Sequence, residues 1–595
     1  MAIRRGQDAR QYSPGIPVVD PGRRRFVLGA AATGLAAGLG GWRPAGAAID
    51  GRGLTHLQGT EFDLTIGQMP VRITDRERLA VTVNGSLPAP ALHWQEGDTV
   101  TMRVTNTLAE PASIHWHGIV LPTDMDGVPG LSYPGIAPGE TFTYRFPVHQ
   151  SGTYWYHSHS GFQEQLGLYG PLVIHPQAMA PVAFDREYIM VLSDWTDEDP
   201  NRIFHKLKKN ANYYNFNQPT IGDLYRDIRT IGFRPAIDKR LMWGEMRMNR
   251  TDLADISGYT YTYLLNGYPP GENWTAEFQP GERVKLRFIN AGSMTYFDVR
   301  IPGLRMTVIA ADGQPVRPVD VDEFRIASAE TFDVLVTPER NEAYTVFAQS
   351  MDRTGFARGT LAPRPGMTAA VPLLDQPEQL TMADMGHDMS KDAGDGMDHS
   401  GHDMSAMPGM DMSTMPGMSA EKEVTHSATE YSPMVDMRAM NPASQLDDPG
   451  IGLRDNGRRV LTYADLNSTF PDPDGREPTH TVELHLTGHM ERYIWSFNGV
   501  RFSDAAPIRL RYGERVRFIL VNDGMMTHPI HLHGMWSDLE DEQGQFKVRK
   551  HTISVKPGER LTYRVTADAL GRWAYHCHLL MHMEAGMFRE VRVDE

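Results

Sequence analysis

One short pattern occurs three times in this chain and limits what it can fold into: an Asn-Gly turn, a Gly-acid turn, then an alternating strand ending in Asn. The first copy reads Asn84-Gly85, Gly97-Asp98, then Val100, Met102, Val104 and Asn106. The second reads Asn266-Gly267, Gly281-Glu282, then Val284, Leu286, Phe288 and Asn290. The third reads Asn498-Gly499, Gly513-Glu514, then Val516, Phe518, Leu520 and Asn522. From Gly to the closing Asn the interval is 9 residues in all three. Period-2 alternation bounded by turn residues marks half-buried antiparallel strands. Short strands, frequent Gly/Pro turns and little helical periodicity imply an all-β chain with a Greek-key barrel or sandwich in each copy.

A chain of 595 residues exceeds what one core supports, and the repeat divides it into units at 48–180, 181–365 and 441–595. Residues 200–260 are polar and aromatic with mixed periodicity, which predicts a partly helical insertion in the second unit. Between the second and third units, at 366–440, lies a biased linker. From Met382 to Met418 it carries ten Met and three His among Asp, Ser, Gly and Pro, a composition that builds no core and predicts disorder without a ligand. Ahead of the units, Arg23-Arg24-Arg25-Phe26-Val27-Leu28, a weakly apolar stretch and Ala45-Gly46-Ala47 fit a twin-arginine export signal at 1–47, and so a periplasmic address. No later segment is apolar for long enough to span a bilayer. The formal net charge of −16 argues against nucleic acid and favours cationic partners.

Four His-x-His pairs stand out: His115/His117, His157/His159, His531/His533 and His576/His578. Their positions give them meaning. His115 follows Asn106 by 9 residues, as His531 follows Asn522; His157 follows Pro138 by 19, as His576 follows Pro557. Units one and three thus carry paired imidazoles at the same two points of the same repeat. The matching positions in unit two are Val299, Ile301, Phe347 and Gln349, which makes that unit a spacer without ligands. Residues i and i+2 of a strand share a face, so each pair offers two imidazoles in one direction. Eight imidazoles without carboxylate suit copper or zinc rather than magnesium or calcium.

The single Cys of the chain, Cys577, lies inside His576-Cys577-His578, with His582 and Met587 beyond it and His528 three residues before His531. A lone Cys rules out an internal disulfide. Two imidazoles, a thiolate and a distant thioether are the ligand set of a blue copper electron-transfer site. Alternation sends Cys577 to the face opposite His576 and His578, so backbone bonds would join that site to the imidazole cluster as an electron wire. Unit one lacks these ligands; its counterparts are Ala112, Ser158, Gln163 and Leu168. One mononuclear copper and three clustered ones would match the four electrons that take O2 to water.

His-Trp-His-Gly, His-Ser-His, His-Pro-Ile-His-Leu-His and His-Cys-His-x3-His-x4-Met, in this order along the chain, resemble the motifs of the multicopper oxidase family. The likeness extends over nearly the whole exported length and implies three cupredoxin-like domains. It also implies four coppers per chain: His115 and His531 on type 2, His117, His157, His159, His533, His576 and His578 on the type 3 pair, and His528, Cys577, His582 and Met587 on type 1. Asp126 resembles the family's acid near the cluster that helps deliver protons to oxygen. A second such acid often follows the type 1 histidine directly, where this chain has Met583, with Glu584 next. The signal and the Met-rich linker resemble the periplasmic copper resistance protein A group, with Cu(I) and O2 as substrates and other copper-resistance proteins as candidate partners. Thioethers select Cu(I), so Met404, Met407, Met410, Met412, Met415 and Met418, and Met526 just before His528, are candidate ligands for substrate copper. A laccase-like phenol oxidase and a copper-sequestering protein are the alternative readings.

Overall fold

The computed structural model describes residues 52–178, 182–386 and 424–595. The expected export signal and the Met-rich repeats bearing Met404, Met407, Met410, Met412, Met415 and Met418 lie outside the described residues. Among the described residues no helix is long and apolar enough to cross a membrane.

Among the described residues, strands make up six sheets, two for each copy of the repeat, and give the cupredoxin fold three times over. In the first unit a four-stranded sheet runs Arg78–Val83, Glu61–Val71, Thr99–Asn106, Thr141–Pro147 in space. Its partner is a five-stranded sheet, in order His56–Gln58, Ala91–Gln95, Tyr169–His175, Gly152–His157, His115–His117. The repeat strand pairs in parallel with an early strand of its own unit in all three cases, Glu61 opposite Thr101, Arg186 opposite Val284 and His480 opposite Val516. A parallel neighbour needs a crossover, which is the Greek-key feature of the topology.

The repeated residues act in the same way in each copy. Asn84, Asn266 and Asn498 have φ of 52°, 51° and 51°, and the Gly after each is also left-handed, which is the conformation of a two-residue type I′ hairpin turn. Each of these Asn side chains accepts a hydrogen bond from the strand alongside, at Thr65, Val191 and His485 N–H. The closing Asn residues are fully buried clasps. Asn106 Nδ2 donates to the carbonyls of Glu110 and Ile136, Asn290 Nδ2 to Thr295 and Ile326, and Asn522 Nδ2 to Met526 and Val555. The third clasp fixes the loop that leads into His528.

The insertion in the middle unit is helical over Pro200–Leu207, Ile221–Ile231 and Phe233–Glu245. Asp199 and Thr220 cap the first two helices with their side-chain oxygens. Lys208 Nζ donates to Tyr493 O at 2.9 Å, so the insertion docks on the third unit. The linker departs from expectation at its ends. Met385 is completely buried, and Ala439 N–H donates to Asp523 Oδ1 at 2.8 Å, so residues on both flanks belong to packed structure. The stretch expected to build no core thus has packed structure at its start, because Met385 is buried against the third unit near Gly558, a contact that no local pattern encodes.

If the Asn clasp carries the fold, Asn290→Ala should lower the unfolding free energy by about 2–4 kcal/mol, since two buried carbonyls lose their donors. Chemical denaturation checks this, and a change below about 0.5 kcal/mol would show the clasp to be dispensable.

Candidate metal centre

Strand pairing sets the geometry of the centre. His115 lies opposite His157 in the first unit, and His531 opposite His576 in the third. The two units then meet face to face. His115 stacks on His533 and His117 on His531, each with ring centroids 3.9 Å apart. Val128 of the first unit packs on Ala574 and Phe588 of the third, and Thr123 Oγ1 donates to Arg572 O at 3.1 Å. Asp126 pins the seam: its Oδ2 accepts from His533 Nδ1 at 2.9 Å and its main-chain oxygen accepts from His115 Nδ1 at 2.8 Å.

Ligand nitrogens gather in threes within 4.8 Å of one another: His117, His157 and His578; His159, His533 and His576; His115, His531 and His533; and His117, His531 and His551. In each of these groups both units contribute. Several Nδ1–H groups are spent on fixed acceptors, His157 on Ser158 O and Glu164 Oε2, His531 on His551 O and His576 on Cys577 O. Such anchoring leaves the Nε2 lone pair facing inward. The Nε2 atoms of His115, His157, His159, His531 and His578 are buried with no hydrogen-bond partner among the described residues. Burial first, and then the neighbouring imidazoles, hold His117, His157, His159, His531, His533 and His578 well below the usual imidazole range. Burial takes His576 down to about 4. Neutral, converging lone pairs with no other partner are what a borderline-soft cation needs, so these residues fit copper.

On the opposite face of the same strand, Cys577 Sγ lies 3.6 Å from His528 Nδ1 and 3.9 Å from His582 Nδ1, which are themselves 3.2 Å apart. All three are completely buried. Burial pushes the Cys577 thiol well up, so it is a soft cation that would turn this sulfur into a thiolate. Met587 is buried beside them, its carbonyl accepting from Cys577 N–H at 3.1 Å. His582 Nε2 is tied to Asp255 Oδ2 at 2.7 Å, and Tyr493 OH donates to the same oxygen at 2.6 Å. Trp495 stacks on the His582 ring at 4.0 Å. Asp255 also lines a cleft with Met294, Met351 and Met526. Three residues earlier, Asp252 is buried with neither carboxylate oxygen hydrogen-bonded, and burial together with the nearby Asp255 charge pushes its pKa well up.

Sequence reasoning missed Glu164, Asp255, Trp495 and His551, since none belongs to a repeated spacing and each reaches the centre only through the fold. Glu584 is exposed at the end of the short helix Leu580–Glu584. Glu164 is a second buried acid beside the cluster, with burial and then Asp194 raising its pKa well above the usual carboxylate range.

Models of the multicopper oxidase family match residues 65–179, 186–371 and 475–595. Copper resistance protein A of Escherichia coli is 60% identical over 601 residues, covering 96% of this chain and 99% of that protein. A copper resistance protein A homolog of Pseudomonas syringae pv. tomato is 62% identical over 591 residues, with the same coverage of 96% and 99%. Among solved structures, Fet3p, a multicopper oxidase that functions in iron import, superposes with a TM-score of 0.61 at 19% identity, over 90% of this chain and 91% of that one. That likeness speaks for the fold alone.

The buried imidazoles carry a pH signature. Unfolded imidazoles protonate near 6.5, whereas His551 and His576 in the fold hold out to about 4. Between these values the unfolded chain binds more protons, so stability is complete above about 6.5 and is lost as pH falls. Against them His485 acts in the opposite sense: despite burial, Asp523 and Glu483 raise it to about 10. The copper-free protein should unfold at lower denaturant concentration at pH 5 than at pH 7; equal midpoints would mean that the cluster is already charged or solvated in the fold.

Proposed function

The chain belongs to the multicopper oxidase family, and on that premise we propose that it is a periplasmic cuprous oxidase that protects the cell from copper. The balanced reaction takes four Cu(I), one O2 and four protons to four Cu(II) and two waters. One observation carries the choice of substrate: Asp255, buried and bound to His582, lines a cleft with Met294, Met351 and Met526, and the buried Asp252 lies close enough to feel its charge. Thioethers suit a soft monocation, and a neighbouring carboxylate supplies the opposite charge. The names of the relatives, which speak of copper resistance, favour the same reading.

In this reading His528, Cys577, His582 and Met587 hold the type 1 copper. His115 and His531 serve type 2, and His117, His157, His159, His533, His576 and His578 serve the type 3 pair. Bound copper supplies the one-electron steps between the reducing substrate and dioxygen. The chain does the rest. Asp255 fixes the His582 ring at the point of entry, and Trp495 shields it from water. Two peptide bonds join Cys577 to His576 and His578, so the two sites are separated by backbone alone. Asp126 and Glu164 each orient an imidazole with one oxygen and leave Oδ1 and Oε1 without a hydrogen bond, where they would hold protons for the reduced oxygen. The middle unit carries no ligands in this scheme, the Met-rich linker gathers Cu(I), and the leading segment directs export by the twin-arginine route.

Oxygen uptake by purified, copper-loaded protein tests the proposal. Cu(I) should drive it faster than phenols, and deletion of residues 388–418, which spares Met385, should slow Cu(I) oxidation several-fold more than oxidation of an organic dye. Faster phenol turnover would favour a laccase. Many more than four coppers per chain with negligible oxygen uptake would favour sequestration.

A further inference from the structure

The third unit carries two residues that the other copies of the repeat lack. In its Asn498-Gly499 turn, Asn498 Oδ1 accepts from the His485 N–H at 2.6 Å, and the clasp residue Asn522 is followed directly by Asp523. At the matching positions unit one has Thr65 and Thr107, and unit two has Val191 and Ala291, with no imidazole or carboxylate among them. The chain returning from the Met-rich linker lies against this place. Thr429 Oγ1 donates to Asn498 O at 2.7 Å. Gly499, at φ +69°, leaves the room, since a Cβ there would fall 3.2 Å from Glu430 Cα. His426 and Glu430 are thereby set beside His485 and Asp523.

One atom from each of these four side chains faces a common point. His426 Nδ1 lies 2.8 Å from Glu430 Oε2 and 3.6 Å from Asp523 Oδ2; His485 Nδ1 lies 3.3 Å and 2.8 Å from the same two oxygens. Donors about 2.0–2.2 Å from a tetrahedral metal ion stand roughly 3.3–3.6 Å apart, so a shift of about half an ångström would let these atoms share one. The four side chains are 0–11% exposed. Their outer atoms are already committed. His426 Nε2 lies 3.2 Å from Ala439 O, and His485 Nε2 lies 3.3 Å from Glu483 Oε1. Both oxygens accept, so each Nε2 carries hydrogen and each Nδ1 faces the centre. Glu430 Oε1 accepts from Ser427 N–H and Oγ at 3.2 and 2.7 Å, and Asp523 Oδ1 from Ala439 N–H at 2.8 Å. Outer bonds of this kind aim metal-binding imidazoles and carboxylates and fix their tautomers.

We propose that His426, Glu430, His485 and Asp523 form a further metal site, made of none of the copper ligands, that binds one divalent cation of the Zn(II) class and fastens the linker's return to the third unit. Two carboxylates balance the charge of such an ion, and a donor set without thiolate or thioether does not select Cu(I). In the metal-free chain a proton on each Nδ1 stands in for the ion. The cation must displace both, so its binding should tighten as pH rises. The other charged groups at the site are Glu483, with Arg560 near it, and Arg438, which donates to Glu430 O at 2.9 Å. The site stands whether or not the copper centre is read correctly, because its residues come from the third unit and the linker flank alone.

Crystals of the copper-loaded wild-type protein, exposed to Zn(II), test this by anomalous diffraction on either side of the zinc absorption edge. A zinc peak enclosed by the four side chains is expected. No peak there, with the histidines and acids still bonded directly to one another, would overturn the proposal. Solution measurements give a second readout. Titration of Zn(II) against a chelating dye should show one tight site fewer in His426→Gln and His426→Ala than in the wild type, with the blue absorption of the Cys577 site at full strength as proof that the fold persists. Superimposable titrations of the wild type and both variants would refute the site. Should a variant lose the blue absorption, the wild-type crystals alone decide.

Discussion

The hydrogen bond from His533 to Asp126 crosses the seam on which the rest of the molecule depends. Neither outer unit holds a complete set of converging nitrogens. His159 needs His533 and His576, and His578 needs His117 and His157. The site therefore exists only while the first and third units are pressed together, by contacts that include the buried Asp126, hydrogen bonds from Thr123 to Arg572 and from Arg572 to Leu131, an apolar contact around Val128, and stacked imidazoles. Packing many neutral imidazoles nitrogen-to-nitrogen leaves buried lone pairs unsatisfied, which a bound cation would resolve. Metal binding and closure of the seam are thus coupled, in the way that any preorganised metal site adds its binding energy to the fold.

The middle unit contributes more than spacing. From its insertion Asp255 reaches over to fix His582. From its sheet Asp312 holds the backbone at His551 and Thr552 and pairs with the buried Lys550 ammonium at 2.9 Å. Ser328 Oγ sits 3.4 Å from His578. A unit with apolar Val299 and Phe347 where the others have paired histidines still supplies outer hydrogen bonds that aim those imidazoles. Such outer contacts set ring orientation and tautomer, and they matter nearly as much as the ligands themselves.

Much of this was legible in the sequence because it was written as spacing. The Asn-Gly turns, the closing Asn and the His-x-His offsets are local patterns, and backbone geometry converts each into a fixed direction. Cys577 could be set on the opposite face from His576 and His578 by alternation alone. Glu164, Asp255 and His551 could not be found that way. Their partners lie across the fold: Asp255 meets a histidine 327 positions away, and His551 meets His117 only after two units associate. Met385 was misjudged for a related reason, since a Met in a biased segment looks like its neighbours until a cavity elsewhere accepts it. Glu584 followed the ligand in sequence, but the short helix that bears it turns the side chain outward.

Diffraction data collected on either side of the copper absorption edge, from crystals of the loaded protein, test the central claim most directly. Four anomalous peaks per chain are expected, one beside Cys577 Sγ between His528 and His582, and three enclosed by the paired histidines of the first and third units. Peaks confined to the protein surface, or a seam between those units that holds no copper, would contradict it.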